Sequence, residues 1–303
     1  MATLEQMAET YDYMDQLFRL SLGETADITC ALYAGDFTKT LEQAQDDKHA
    51  SIFEHLGVSP GFRLLDIGCG WGPVLNAIRK RGGRGVGLTL SPSHHASCRR
   101  NGFEVYLQDW KDVEPDTCGT FDGVASLGAF EHFCSVEEFF AGEQNRIYRD
   151  FFALCATLLP ARGRLFLQTM IWGEAAPSCE ACTVEAPKGS NEYLVGVLKR
   201  FYPGSWLPVN VEQVEAAARP HFKTVSMKNG RRDYIETLTQ WHRRLMALSL
   251  PKLIETAKLV PMFLVSRDFR FKMESLLRHG GYMRECLVRN VMDHQRIVLE
   301  KVR

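Results

Sequence analysis

The sequence has no run of about 18 uninterrupted apolar residues, the length a helix needs to cross a hydrocarbon core. The nearest approach, Leu245 to Val265, is broken by Pro251 and Pro261 and charged by Lys252, Glu255 and Lys258. A membrane-spanning helix is not expected. Met1-Ala2-Thr3-Leu4-Glu5 lacks a basic stretch followed by an apolar run, so no secretory signal is expected. A cytoplasmic location follows, with free thiols, because the nine cysteines are scattered and odd in number. Only Cys179-Glu180-Ala181-Cys182 has metal-like spacing. It lacks the second pair that a structural zinc site needs, so it reads as a loop carrying two thiols and no metal is expected. Internal repeats and low-complexity tracts are absent. The net charge of −1 argues neither for nor against nucleic acid, and none is expected as a partner.

What is present is an ordinary globular mixture, 45% hydrophobic and 24% charged over 303 residues, enough for one large domain with insertions or two small ones. The first 58 or so residues read as mostly helical, with Met7, Tyr11, Met14, Leu17 and Phe18, then Leu41, Ala44, Ile52 and Leu56, at helical spacing. After Pro60-Gly61, strands and helices alternate. Strands are expected at Arg63 to Ile67, Gly85 to Leu90, Phe103 to Leu107, Phe121 to Leu127 and Leu165 to Thr169. Helices are expected at Val74 to Arg81, from Ser91-Pro92, and through Tyr148 to Leu159. This alternation predicts an α/β fold, a mostly parallel sheet covered by helices on both faces. Gly173 to Ser190 reads as an irregular loop, and residues 211–219, 235–247 and most of the tail as helices. Residues 231–303 hold 15 Lys and Arg against 8 Asp and Glu. That excess reads as a solvated helical face or as a surface for an anionic partner.

The strongest local signal is Leu64-Leu65-Asp66-Ile67-Gly68-Cys69-Gly70-Trp71-Gly72. An apolar strand runs into three glycines at alternate positions and then into a helix. Glycine permits positive φ and close approach of a ligand to the main chain. The spacing differs from the dinucleotide pattern, and Asp66 at the strand end can accept hydrogen bonds from an ammonium group. An amino-acid-bearing ligand fits better than a diphosphate.

The surroundings of this turn resemble the cyclopropane fatty acid synthases and the mycolic acid cyclopropane synthases and methyltransferases, all S-adenosylmethionine enzymes. The likeness is collinear over nearly the whole chain. It runs through Tyr11-Asp12, Leu20 to Gly23, Thr29-Cys30-Ala31, Thr40 to Lys48, the glycine turn and Gly87 to Ser91. It continues through Gly128-Ala129-Phe130-Glu131-His132-Phe133, Tyr202-Pro203-Gly204, Leu207-Pro208, Asp233 to Leu238 and His294 to Lys301. The resemblance implies a Rossmann-like class I methyltransferase fold with a seven-stranded sheet and a helical lid. Residues 1–60 would cap the cofactor, 61–172 would form the binding core, and 173–303 would supply the remaining strands, the substrate lid and a basic C-terminal region. For S-adenosylmethionine it implies Thr29 and Cys30 closing over the methionine end. Asp66, Gly68, Gly70 and Gly72 would form the turn, Thr89, His94 and Asp109 the nucleoside side, with Trp110 stacking on adenine and Leu127 near the reacting methyl. His94 stands where a glutamine is common.

Members of the family methylate an alkene through a carbocation, and a bicarbonate ion serves as base. A glutamate, a histidine, a tyrosine and a cysteine main chain hold that ion. Glu131, Tyr234 and Cys30 match three of these positions, and the histidine position falls on Gln168. A neutral amide carries no proton or charge, so bicarbonate should be held more weakly or lost, leaving Glu131 as the candidate base. His132 reads as structural. The expected acceptor is an unsaturated, hydrophobic acyl or lipid-like molecule, with an anionic membrane surface or an acyl carrier protein meeting the basic C-terminal region. The alternatives are methylation of a prenyl, polyketide-like or amine natural product, or cofactor binding without catalysis. Ser135 to Arg149 and the Cys179–Cys182 loop depart from the family pattern, where specificity usually resides.

Overall fold

The computed structural model describes residues 21–22, 26–202, 204–277 and 281–302. The expected helix through Met7 to Phe18, the Tyr11-Asp12 match, Gly23 and Pro203 lie outside the described residues. Single-turn helices are left unnumbered below.

Helix α1 (Leu41–Leu56) starts at Thr40, whose side chain accepts from the Gln43 amide while the Gln43 side chain reciprocates. It stops at Gly57, where φ is 74°. Alternation then proceeds as the apolar pattern dictates, through β1 (Arg63–Ile67), α2 (Pro73–Lys80), β2 (Arg84–Thr89), α3 (Pro92–Arg100), β3 (Glu104–Leu107), β4 (Gly123–Leu127), α4 (Gln144–Leu158) and β5 (Arg164–Trp172). Every residue of β4 is buried, as are four of the five in β1, which is how strands covered on both faces read.

The seven strands lie in the order β3-β2-β1-β4-β5-β7-β6, where β6 is Phe222–Asn229 and β7 is Met292–Lys301. The first five run parallel, and β7 is antiparallel to both β5 and β6. The chain reverses its direction of travel across the sheet between β1 and β4. Ligands of such sheets bind outside the carboxyl ends of the strands at this switch point. Under β4 and β5 the core is aromatic: Phe130 stacks on Tyr148 at 4.4 Å between ring centroids, with Phe151 and Phe152 fully enclosed behind them.

The tail is mostly helical, as expected, and ends in strand β7. The strand is hard to read because His294, Gln295, Arg296 and Glu300 are polar yet buried. The strand expected at Leu165 to Thr169 also continues through Trp172.

The lid consists of α5 (Asn191–Phe201), α7 (Arg231–Met246), α8 (Leu250–Val265), α9 (Arg267–Leu277) and α10 (Gly281–Val288), whereas α6 (Val211–Ala218) buries Val214, Ala217 and Ala218 in the main core beside α4. Helices α5, α7 and α10 enclose a second core that includes Leu194, Trp206, Tyr234, Leu238 and Leu287. Cys179 and Cys182 are buried in the same core, and the Lys199 ammonium donates to both their carbonyls. Among the described residues no group of three or more His, Cys, Asp or Glu is placed to hold a metal, and no helix is long and apolar enough to cross a membrane.

Candidate active site

A cavity of about 100 Å³ opens at the carboxyl ends of β1, β2 and β4. Thr29, Asp66, Gly68, Gly70, Thr89, His94, Asp109, Trp110 and Leu127 all line it. Gly70 has φ 53°, and a Cβ built there would meet nothing within 4 Å, so the open side of the turn faces a space a ligand can fill. Gly72 differs from the expectation. It is not on the cavity wall, and a Cβ there would strike Phe103 at 3.0 Å and the Cys98 sulfur at 3.2 Å. Its glycine serves close packing at the start of α2.

Burial, reinforced by the nearby Asp27 carboxylate and opposed by Lys48, pushes Asp66 up to about 7. A carboxylate so disfavoured gains most from a cationic ligand group. Trp110 packs against Phe133 and Phe151, and its buried indole N–H has no hydrogen-bond partner in the protein. It is a core residue and a cavity wall at once.

A second cavity of about 210 Å³ adjoins the first. Its walls are apolar and aromatic, including Trp71, Trp172, Trp206, Trp241, Tyr202 and Tyr282. Ile28, Thr29, Trp71, Gly128 and His132 border both cavities. Gly128 has φ 68°, and a Cβ there would lie 3.2 Å from Thr29 Cγ2 and 3.9 Å from Glu131 Oε1. The bare backbone at Gly128 therefore keeps the junction open, with the Glu131 carboxylate beside it.

Glu131 is buried on a short turn after β4. Thr169 Oγ1 donates to its Oε2 at 3.1 Å and the Met170 amide to its Oε1 at 3.4 Å. Desolvation outweighs these bonds and raises its pKa to about 7. Tyr234, from the first turn of α7, reaches the same cavity. His132 is held by Ser205 Oγ at 2.7 Å from its Nδ1, and burial lowers its pKa to about 4, so the ring is neutral at pH 7.

Gln168 and Cys30 line neither cavity. Gln168 Nε2 donates to the Cys30 carbonyl at 3.3 Å, and Gln168 Oε1 accepts from Arg296 Nε at 3.3 Å. Arg296 also bonds the Ala31 carbonyl at 2.7 Å, the Cys30 sulfur at 3.1 Å and Asp233 Oδ2 at 2.8 Å. The two residues expected to hold a base ion are instead bonded to each other and to a buried guanidinium.

The mycolic acid cyclopropane synthetase family model matches residues 1–261. The chain belongs to that family. It is 31% identical over 250 residues to a hydroxymycolate synthase of Mycobacterium bovis, covering 78% of this chain and 76% of the relative. A cyclopropane synthase structure from Mycobacterium tuberculosis superposes with a TM-score of 0.75 at 25% identity, covering 98% of both chains. A mycolic acid cyclopropane synthase solved with SAH and CTAB gives the same TM-score, identity and coverage. Like its family, the protein is an S-adenosylmethionine-dependent enzyme of the methyltransferase fold. The residues lining the first cavity fit that cofactor: Asp66 would meet its ammonium, Gly70 leaves open space, and Trp110 would lie on the nucleoside side.

This family member carries an element that sequence reasoning missed. Asp27 is fully buried and its carboxylate contacts the Lys48 ammonium, with His49 Nε2 at 3.0 Å. It accepts from the Thr29 amide at 3.0 Å and from Thr29 Oγ1 at 2.7 Å, and Lys48 donates to Thr29 Oγ1 at 2.6 Å. Burial alone would raise the Asp27 pKa, but Lys48 and His49 together hold it far below the usual carboxylate range. The signal was present in α1: Gln45, Lys48 and His49 share the inward stripe of Leu41, Ala44 and Ile52. Polar residues on a core stripe imply a buried polar partner.

Gly70→Val should abolish binding of S-adenosylhomocysteine, read as loss of its thermal stabilisation, because the side chain enters the cofactor space. Normal stabilisation of that variant would remove the cavity from cofactor binding. Lys48→Met should cost about 3–5 kcal/mol in urea unfolding by stranding a buried carboxylate. Adding Asp27→Asn should recover part of that loss. A neutral Lys48→Met would contradict the charge pairing.

Proposed function

We propose that this enzyme transfers a methyl group to the carbon–carbon double bond of an apolar, lipid-like acceptor, leaving a methyl branch or a cyclopropane. The supporting observation is the Glu131 carboxylate at the open Gly128 junction between the cofactor cavity and an aromatic-walled apolar cavity. The cofactor supplies an electrophilic methyl. The second cavity admits a hydrocarbon and excludes water. Its tryptophan and tyrosine faces stabilise positive charge on the acceptor. Glu131 takes the proton that the acceptor must lose, and Thr169 and the Met170 amide fix its orientation. Tyr234 flanks the same space. A relative in this family was solved in complex with both SAH and CTAB, which is in keeping with this reading. An amine natural product is the second reading, since aromatic walls beside one carboxylate also suit a cationic acceptor. A product assay with unsaturated lipids against a panel of amines separates the two.

Glu131 works as a base only when ionised. With its pKa near 7, activity at saturating cofactor should rise with pH through about 7 and then level. Glu131→Gln should lower kcat about 100-fold or more and leave cofactor affinity nearly unchanged. A pH profile flat from 5 to 8, or wild-type rates in Glu131→Gln, would exclude Glu131 as the base.

Bicarbonate is not required in this reading. Arg296, already neutralised by Asp233, donates to Gln168 Oε1, and Gln168 Nε2 donates to the Cys30 carbonyl, so both polar atoms of that amide have protein partners. Removing carbon dioxide from the assay should leave most activity. Activity that stops on depletion and returns with added bicarbonate would show that the ion is the base after all.

A further inference from the structure

Methyl transfer moves one positive charge across the Gly128 junction, from the cofactor side to the acceptor side. A group that borders both cavities stays beside that charge throughout. Ile28, Thr29, Trp71, Gly128 and His132 hold such places. Ile28 and Gly128 offer no polar side-chain atom. The Thr29 hydroxyl is committed, donating to Asp27 Oδ1 at 2.7 Å and accepting from Lys48 Nζ at 2.6 Å. Trp71 offers an aromatic face, packed on the His94 ring at 4.3 Å between centroids. His132 differs from all of these. Its Nδ1 lies 2.7 Å from Ser205 Oγ, and its Nε2 has no partner among the described residues. Nor is that nitrogen sealed in the core as His294 Nδ1 is, so it opens on the cavities that the ring lines.

The ring is held firmly. Phe130, two residues earlier, is fully enclosed among Tyr148, Phe151 and Phe152. The His132 amide donates to the Ala129 carbonyl at 2.9 Å, and Ser205, in the loop after α5, ties the imidazole to the lid. Burial lowers the imidazole to about 4, so at pH 7 it carries one N–H and one lone pair. The Ser205 hydroxyl can accept or donate and permits either tautomer. A cation opposite Nε2 decides between them, because it attracts a lone pair and repels an N–H. Nδ1–H then donates to Ser205 Oγ.

We propose that His132, held by Ser205, is a catalytic residue that presents the Nε2 lone pair to the positive charge crossing the junction. This role is separate from proton removal by Glu131. It does not depend on the acceptor class, because an alkene and an amine both receive the charge.

The test compares affinity for S-adenosylmethionine, which carries the sulfonium charge, with affinity for S-adenosylhomocysteine, which does not. Calorimetry without any acceptor reads both, so the result stands apart from the alkene reading. His132→Phe keeps a ring and removes the lone pair. It should lower the preference for the charged ligand about fivefold or more and leave S-adenosylhomocysteine affinity nearly unchanged. Ser205→Ala should shift the preference in the same direction by less. His132→Gln, uncharged and with an acceptor oxygen, should restore part of it. With a working acceptor, kcat of His132→Phe should fall about tenfold or more. The loss of preference should persist when His132→Phe is made in a Glu131→Gln background, which separates the imidazole from the carboxylate. An unchanged preference in His132→Phe would overturn the proposal. So would equal losses for both ligands, which would make His132 only a wall of the cavity. Thermal stabilisation by S-adenosylhomocysteine reports that the variant is folded. Should His132→Phe not fold, a wild-type preference in Ser205→Ala would overturn the proposal instead.

Discussion

A carboxylate with no exposed surface stays charged only if cations meet it, and Asp27 is such a carboxylate. Lys48 supplies the charge, His49 Nε2 lies 3.0 Å from the same carboxylate oxygen, and the short stretch around Asp27 takes its position from them. Residues 26–31 form neither helix nor strand, so no ladder of backbone bonds holds them. Side chains do it instead. Asp27 fixes Thr29 through amide and hydroxyl, and Gln45 holds the Leu22 and Asp27 carbonyls at 3.2 Å each. Thr237 accepts from the Ala31 amide at 3.1 Å. Ile28 and Thr29 are then set as the partition between the two cavities. The same charge reaches the cofactor side, where Asp27 helps raise Asp66. Without Lys48, Asp27 would have to take up a proton or pull the partition apart.

The far end of that segment depends on a second buried ion pair. Arg296 and Gln168 are register partners on β7 and β5, and their side chains meet on one face of the sheet. Arg296 spends its donors on Asp233, Ala31, Cys30 and Gln168. A neutral amide suits this place well. It accepts from the guanidinium with its oxygen and donates to the Cys30 carbonyl with its nitrogen. A protonated imidazole at the same position would face Arg296 as a like charge, at a cost that burial increases. Gln168 and Arg296 therefore make sense as a pair. What the resemblance marks as a loss at one position is, in three dimensions, half of a structural bond.

The sequence announced the strands from Arg63 to Thr169 clearly, because they are apolar and bounded by glycine or proline, and all but the edge strand β3 are mostly buried. It announced the cofactor turn because Gly68, Gly70 and Gly72 all hold positive φ, at 87°, 53° and 81°. Only Gly70 also faces open space; a Cβ at Gly68 would strike Ala129 and one at Gly72 would strike Phe103 and Cys98, and no pattern of three glycines distinguishes the roles. Strand β6 was illegible because it is an edge strand with only Phe222 buried. Strand β7 was illegible because ion pairs and side-chain bonds, which no periodicity records, bury its polar residues. The aromatic walls of the second cavity come from Trp71, Trp172, Trp206 and Trp241, which are far apart in the chain and meet only once the lid helices fold over β5.

This arrangement also gives the second cavity a direction. Its one carboxylate, Glu131, lies with His132, Thr29 and Gly128 at the end that meets the cofactor cavity. Leu198, Lys199, Phe201, Tyr282 and Met283 come from lid helices, and the Lys199 ammonium among them is bonded to the Cys179 and Cys182 carbonyls. An acceptor with one reactive site and a long apolar remainder fits only one way round. Placing the apolar remainder against Glu131 would desolvate a carboxylate with nothing to offset the cost. Placing it among the lid helices removes hydrocarbon from water, a gain of about 0.8 kcal/mol for each buried methylene. The orientation that brings a double bond to the Gly128 junction thus follows from where Glu131 sits and from a lid whose one lining ammonium, Lys199, is already engaged by main-chain carbonyls.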